Sequence, residues 1–296
     1  MFGNIIRSFR VNNGLSQTNF VDVIQRSNEN FSNLDVVTLS RWERGVTTPH
    51  LRRQNELLDL IGVNIFDVWK DSDVKSTLSG LANKFNNNGY IDMSIDVNTE
   101  INTINTINTI NTNNLNDLNA LSKIIDVIFE YEENLIFLAM EHLGLSRKAI
   151  IEKIINQYSG ELTVVTVNGQ LIGHLLSSNY RLASDFLKQK QVITNKNIHL
   201  VVTFNCTHYS SFISTMGREG YKYLQNLNPE TELSVCLKNK RMFDLFFSLG
   251  FESKNIIRNG KSMKIMSLSS DGIKSQRTWM DIITNYKDEG KGKGNE

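Results

Sequence analysis

The chain has 296 residues and 40% hydrophobic content, enough for two separate cores at about 100–200 residues per domain. Its 32 Lys and Arg against 31 Asp and Glu give a formal net charge of +1, so overall charge argues neither for nor against a polyanionic partner. Cys206 and Cys236 stand far apart without CxxC spacing, which excludes a dense disulfide framework and a cysteine zinc site and suits a reducing, cytoplasmic setting. The opening "MFGNIIRSFRVNNG" carries arginines and no long apolar run; it reads as neither a signal peptide nor a membrane span.

Residues 5–69 are helix-patterned. A first helix carries Ile5, Ile6, Phe9 and Arg10 and stops at Asn13-Gly14, where glycine supplies a C-terminal cap. Ser16 caps a second helix with Phe20, Val23 and Ile24 on its inner face. Asp35 is the N-cap of a third, which runs from Val36 and ends in Trp42-Glu43-Arg44-Gly45, and a fourth follows Pro49 with Leu51, Leu57, Leu58 and Ile61 apolar. Between 71 and 114 the composition turns Asn-rich, and "INTINTINTINTNN" repeats one tripeptide four times. A period of three matches neither a strand nor a helix, so this stretch is expected to be a flexible linker.

Helix returns from 115 to 158, with a strongly apolar run over 115–143 and a serine cap at Ser146. Period-two alternation follows in "ELTVVTVNGQLIGHLLSS", where Asn168-Gly169 between apolar runs signals a hairpin. A polar segment leads to the strand "IHLVVTFN", a helix near 212–226, the strand "ELSVCLKN", the helix "KRMFDLFFSLGF" and a strand near 261–268. Strand and helix in alternation predict an α/β layer. The tail 287–296 lacks apolar residues and is expected to be disordered.

Arg10, Gly14-Leu15-Ser16-Gln17, Leu39-Ser40-Arg41-Trp42-Glu43-Arg44-Gly45 and Pro49 together resemble the XRE/Cro helix-turn-helix family. One departure is the connection "QRSNENFSNLD", longer than the family's tight turn. The resemblance implies an all-α helix-turn-helix domain over 1–70 that binds double-stranded DNA as a homodimer on a palindrome. It places Val36, Val37, Thr38, Ser40, Arg41 and Arg44 on the reading helix. Gln17 falls on a phosphate at the start of helix two, with Thr47, Thr48 and Arg52 on the backbone opposite. It also makes Arg10 and Glu43 an internal ion pair. Other readings stand beside these: Val36 or Val37 as core, and Arg44 as merely solvated. Leu39 and Trp42 read as core, and Gly45 as a left-handed C-cap. The helix 115–143 is a dimerisation candidate, or it packs within its own domain.

The hairpin with Gly173, the strands "IHLVVTFN" and "ELSVCLKN", and "NKRMFDLFFSLGF" resemble the GNAT acyltransferase superfamily. That resemblance implies an α/β domain over 115–286, a mixed sheet flanked by helices. Two departures bear on chemistry. "CTHYSSFIST" stands where the family has a glycine-rich pyrophosphate loop, with "GREG" (217–220) inside the following helix. Phe246 takes the place of a tyrosine that protonates the leaving thiolate. The expectation is a DNA-binding regulator whose acyltransferase-like domain senses or dimerises without catalysis. It has no cofactor, or an acyl-CoA at most, no metal and no membrane contact, and a small molecule or protein is its effector. The alternatives are an active acetyltransferase with its own DNA anchor, or an antitoxin or phage-type control protein gripping a partner. A ligand pocket is expected around His208, Tyr209, Ser210, Ser211 and Asn239; the other reading is that His208 and Tyr209 simply fill the groove. His174 and His199 read as ordinary strand residues.

Overall fold

A computed structural model describes residues 1–70, 78–85, 108–112, 121–131, 134–167, 170–186, 198–225, 231–237, 240–258 and 260–291. The chain divides into two compact units: Met1–Ser76 with Asp271–Thr284, and Thr77–Ser270 with Asn285–Glu296. The segment 271–284, expected with the C-terminal domain, therefore groups with the N-terminal one. Among the described residues no helix is long and apolar enough to cross a membrane.

The first unit is helical. Its elements are α1 (Phe2–Asn12), α2 (Gln17–Ser27), a 3₁₀ turn (Glu29–Phe31), α3 (Val36–Glu43), α4 (Leu51–Leu60) and α5 (Ile65–Lys70). Local chemistry sets the ends. The Ser16 hydroxyl accepts the Asn19 N–H at 3.1 Å and Asp35 Oδ1 accepts the Thr38 N–H at 2.5 Å, each satisfying an orphan donor of a first turn. Gly14 and Gly45 take φ of +66° and +68°, the left-handed geometry that closes a helix. The long connection before α3 is folded and carries its own anchors. Phe31 and Leu34 are buried in it, and the Gln25 side chain donates to the Leu34 carbonyl at 2.8 Å. Ile6, Phe20, Ile24, Leu39, Trp42 and Leu57 complete the core.

Close approach of α1 to the end of α3 depends on one small residue. A Cβ placed on Gly3 would lie 2.1 Å from the Trp42 carbonyl oxygen, a backbone atom that cannot swing aside. Gly3→Ala is therefore expected to destabilise this unit by about 1–3 kcal/mol, the usual cost of overpacking. Tryptophan-detected urea denaturation reads the loss, because Trp42, Trp69 and Trp279 all lie in the first unit.

The second unit is built on a seven-stranded sheet of order β1-β2-β3-β4-β5-β7-β6. The strands are β1 (Asn108–Thr112), β2 (Glu161–Val167), β3 (Gln170–Ser178), β4 (Ile198–Cys206), β5 (Glu232–Leu237), β6 (Glu252–Arg258) and β7 (Lys261–Ser269). Only β4 and β5 run parallel; every other neighbouring pair is antiparallel. The strand β6 and the helix α10 (Tyr180–Phe186) escaped the sequence reading, the latter inside the stretch read as merely polar.

Two expectations for 71–114 change. A helix α6 (Leu78–Lys84) and the strand β1 both lie inside the supposed linker, and β1 pairs with β2 in the register Ile110↔Val164. β-Branched Ile and Thr suit an extended edge strand even where their spacing favours no face. Residues 71–77, 86–107 and 113–114 lie outside the described set.

The apolar run 115–143 is two helices, α7 (Ser122–Tyr131) and α8 (Leu135–Glu141), followed by α9 (Arg147–Gln157). Ile124, Ile128, Ile136, Phe137, Ile150 and Ile154 are buried in one core with Leu162, Leu176, Leu200 and Val202 of the sheet, so the unit's own sheet covers that face. The hairpin signal at Asn168-Gly169, themselves outside the described residues, agrees with the pairing Val167↔Gln170. The terminal helix runs Arg277–Lys291, into the tail expected to be disordered; 292–296 lie outside the described set.

Candidate functional site

In the first unit, α3 is clasped from behind. Arg10 donates from Nε to Glu43 Oε1 at 2.6 Å and from Nη2 to Oε2 at 2.9 Å, while its Nη1 reaches the Leu15 carbonyl at 2.8 Å. Gln17 Nε2 donates to Glu43 Oε2 at 2.7 Å. Leu39 and Trp42 are buried beneath, and Val37 is 60% exposed on the outer side. Neither Val36 nor Val37 is core. Arg41 and Arg44 are exposed, as are Thr47 and Thr48, and Thr38 and Ser40 are half-buried. The geometry thus presents most of the expected reading residues on one short helix and the loop after it. In this arrangement Gln17 Nε2 is engaged by Glu43, and Arg52, with its side chain 46% exposed, pairs through Nε with Glu56 at 2.9 Å and through Nη2 with Asp271 at 2.7 Å.

In the second unit, the parallel ladder between β4 and β5 joins only Ile198–Val201 to Glu232–Val235. Beyond it the strands part. β4 also carries an irregularity there: opposite β3 the register jumps from Leu176↔Thr203 to Ser177↔Val201, leaving Val202 as an extra residue. Its carbonyl accepts the Asn134 Nδ2–H at 2.5 Å, while Asn134 Oδ1 caps α8 through the Ile136 N–H at 2.8 Å. A buried asparagine thus satisfies the group that the bulge takes out of the ladder.

A cavity of about 310 Å³ lies at this opening. Cys206 and Thr207 at the end of β4 form one wall, and Arg241, Met242, Asp244 and Leu245 of α13 (Lys240–Ser248) form another. Lys84 and Phe85 at the end of α6 complete it. None of the four described residues among those expected to form a pocket, His208, Tyr209, Ser210 and Ser211, lines it. His208 is exposed, with Nδ1 against the Thr207 hydroxyl at 2.5 Å. The Ser211 hydroxyl lies 3.0 Å from the Ile172 carbonyl and is buried. Tyr209 and Ser210 are half-buried at the start of the helix, and Asn239 lies outside the described residues. The Thr207 and Ser211 hydroxyls both donate to the Ile172 carbonyl of β3, and Ser211 also lies 2.8 Å from the His208 carbonyl. The cavity wall comes instead from the strand end and from α6, which no local pattern marks.

After β4 the chain forms α11 (Tyr209–Phe212), a π-helical turn (Ile213–Gly217) and α12 (Arg218–Gln225). Helical backbone replaces the glycine loop, and Gly217 and Gly220 are buried within it. Gly173 of β3 lets the helix in close; a Cβ there would stand 2.9 Å from Ser211 Cβ. Phe246 is fully buried in edge-on contact with Phe204, Phe212 and Phe251. It serves packing, and a phenyl ring has no proton to give.

Charged side chains of α12 turn onto the sheet. Glu219 is 1% exposed and meets His199 Nε2 at 2.5 Å; Glu161 takes Arg218 at 2.5 Å and Lys222 at 2.6 Å. Burial pushes the Glu219 carboxyl up, but the bond to His199 and the charges of His199 and Lys222 more than offset it and hold it at about 2. His174 is buried against the Thr203 hydroxyl at 3.0 Å, and burial lowers its pKa to about 3, so the ring is neutral at ordinary pH. Burial raises the Cys206 thiol well above its usual value, the opposite of an activated nucleophile.

No protein-family model matches the chain, and no curated protein matches it. Among solved structures, an aminoglycoside acetyltransferase AAC(6')-Ib in complex with coenzyme A and kanamycin is 15% identical. That match covers 58% of this chain and 99% of the other at a TM-score of 0.38. FeeM, an N-acyl amino acid synthase from uncultured soil microbes, is 15% identical over 56% of this chain and 91% of its own, with a TM-score of 0.37. An N-acetyltransferase from Staphylococcus aureus Mu50 is 13% identical over 56% and 98%, at 0.34. Likenesses this distant carry no argument about chemistry.

Proposed function

We propose that the second unit is an acyltransferase-type domain that binds an acyl thioester, such as acetyl-CoA, in the opening between β4 and β5. One observation carries this reading: the β4–β5 ladder stops after Val201 and Val235, and a ligand-sized cavity lies beyond it. Lys84 and Arg241 against Asp244 leave the cavity one net positive charge, and Met242 and Leu245 bring apolar surface, a lining compatible with an anionic ligand that carries an apolar arm. This moves weight from the regulator with an inert domain, preferred on sequence, toward an acyltransferase. Titration calorimetry with acetyl-CoA, beside a colorimetric assay for released thiol, tests it. Saturable binding supports the reading, and thiol release adds transfer to it. Absence of binding at millimolar ligand removes it.

A second reading concerns the first unit, which we propose docks α3 on duplex DNA. Its support is the clasp of Arg10 and Gln17 on Glu43 behind a helix whose outer side presents Val37, Ser40 and Arg41. A helix of that width enters the major groove, where arginine pairs with guanine and valine meets thymine methyls. On a duplex selected from a random pool, the double variant Ser40→Ala/Arg41→Ala is expected to bind at least 10-fold more weakly, each base contact contributing about 1–3 kcal/mol. Equal retention of wild type and variant in a gel-shift titration would place the reading face elsewhere.

A further inference from the structure

We propose that Phe85 is an intramolecular plug of the β4–β5 opening, which a bound acyl thioester must displace; this rests on the ligand reading above. The ring reaches the sheet from far away in the chain, beyond the end of α6. It is 6% exposed, with its centroid 5.2 Å from Phe212 and 6.4 Å from Tyr209. It forms part of the cavity wall together with Cys206, Thr207 and Leu245. The backbone that delivers it is a helix of seven residues, Leu78–Lys84, too short to persist on its own propensity. Burial of Leu81 and Phe85 and the bond from Lys84 Nζ to Ser248 Oγ at 2.8 Å hold that helix in place.

A short helix held by two apolar side chains and one polar contact is a small cooperative unit, of the kind that opens locally before the rest of a domain. The Phe212 ring it covers packs against Phe204 and Phe246 of the sheet and its helices and stays when Phe85 swings out. The apolar arm of a ligand and the Phe85 ring thus compete for one surface. A ligand that binds only the open form is weakened by the fraction of molecules that are open.

The test uses the full chain, with desulfo-CoA as a thiol-free probe and N-ethylmaleimide as a neutral thiol reagent. Cys206 lines the cavity and Cys236 is buried in β5, so peptide mass spectrometry reads each thiol separately. Phe85→Ala is expected to speed modification of Cys206 at least 10-fold with Cys236 unchanged, and to tighten desulfo-CoA binding by roughly 10–100-fold. Bound desulfo-CoA should then protect Cys206. An unchanged Cys206 rate overturns the plug, and so does a parallel rise at both cysteines, which would mean a loosened core. Faster Cys206 modification with no desulfo-CoA binding to either protein supports the plug and overturns the ligand.

Discussion

Arg10→Ala is expected to destabilise the first unit by about 3–5 kcal/mol, the usual cost of stranding one member of a buried ion pair. The Glu43 side chain is 3% exposed and that of Arg10 12%, so water cannot replace the guanidinium. Among the described residues Gln17 remains as the hydrogen-bond donor to the carboxylate, while the Leu15 carbonyl loses the Arg10 donor. The double variant Arg10→Met/Glu43→Leu should recover most of the loss, because removing both charges also removes their desolvation. Urea denaturation followed by tryptophan fluorescence checks both. A loss below 1 kcal/mol for Arg10→Ala would mean that Glu43 is solvated or protonated.

The same pair has a pH signature. Burial pushes the Glu43 carboxyl up, but its bonds to Arg10 and Gln17 more than offset this and hold it below its usual value. A lowered folded pKa stabilises above the unfolded value of about 4.3, and the contribution is lost as pH falls through the folded one. The Glu43→Gln variant should lack that acid-side decline.

Glu219→Gln is the second large effect, in the other unit. A carboxyl at about 2 when folded, against a usual 4.5, contributes on the order of 3 kcal/mol at neutral pH. The sign follows from the depression: the full contribution is present above about 4.5 and is lost as pH falls toward 2. Glutamine keeps the size but removes the charge that meets His199 and Lys222. Far-UV circular dichroism in urea between pH 2 and 7 should show wild type losing this increment with acid and the variant starting without it. Parallel curves for the two proteins would assign the acid sensitivity to other carboxylates.

Much of the fold was legible because it is set within a few residues. Ser16, Asp35, Gly14 and Gly45 act through their own turns, so their roles as caps follow from residue type and position. The alternation around Asn168-Gly169 and the run of strand, helix and strand from 198 onward carry their period with them. The ion pair of Arg10 and Glu43 was legible only through a family pattern, since nothing local links two residues so far apart.

What stayed hidden depends on partners distant in the chain. The INT repeat has no face of its own, yet its last residues form β1, since β2 would otherwise be left as an edge and offers a ladder to any extended segment. The cavity at the end of β4 draws its walls from α6 and α13 as well as from the strand. The hydroxyls after β4 looked available from sequence, but packing against β3 turns Ser211 to the Ile172 carbonyl and brings Phe85 in from α6.

The residues alone determined where helices begin and end, which stretches alternate as strands, and that a helical unit precedes an α/β one. Those features depend on backbone conformation and on donors satisfied within one turn. Only the tertiary structure decided that α1 needs Gly3 to approach Trp42, that Asn134 completes the bulge in β4, and that Glu161 and Glu219 find their partners on α12 and β4. Close approach, burial and charge pairing depend on which surfaces meet, and no window of sequence contains both sides of such a contact.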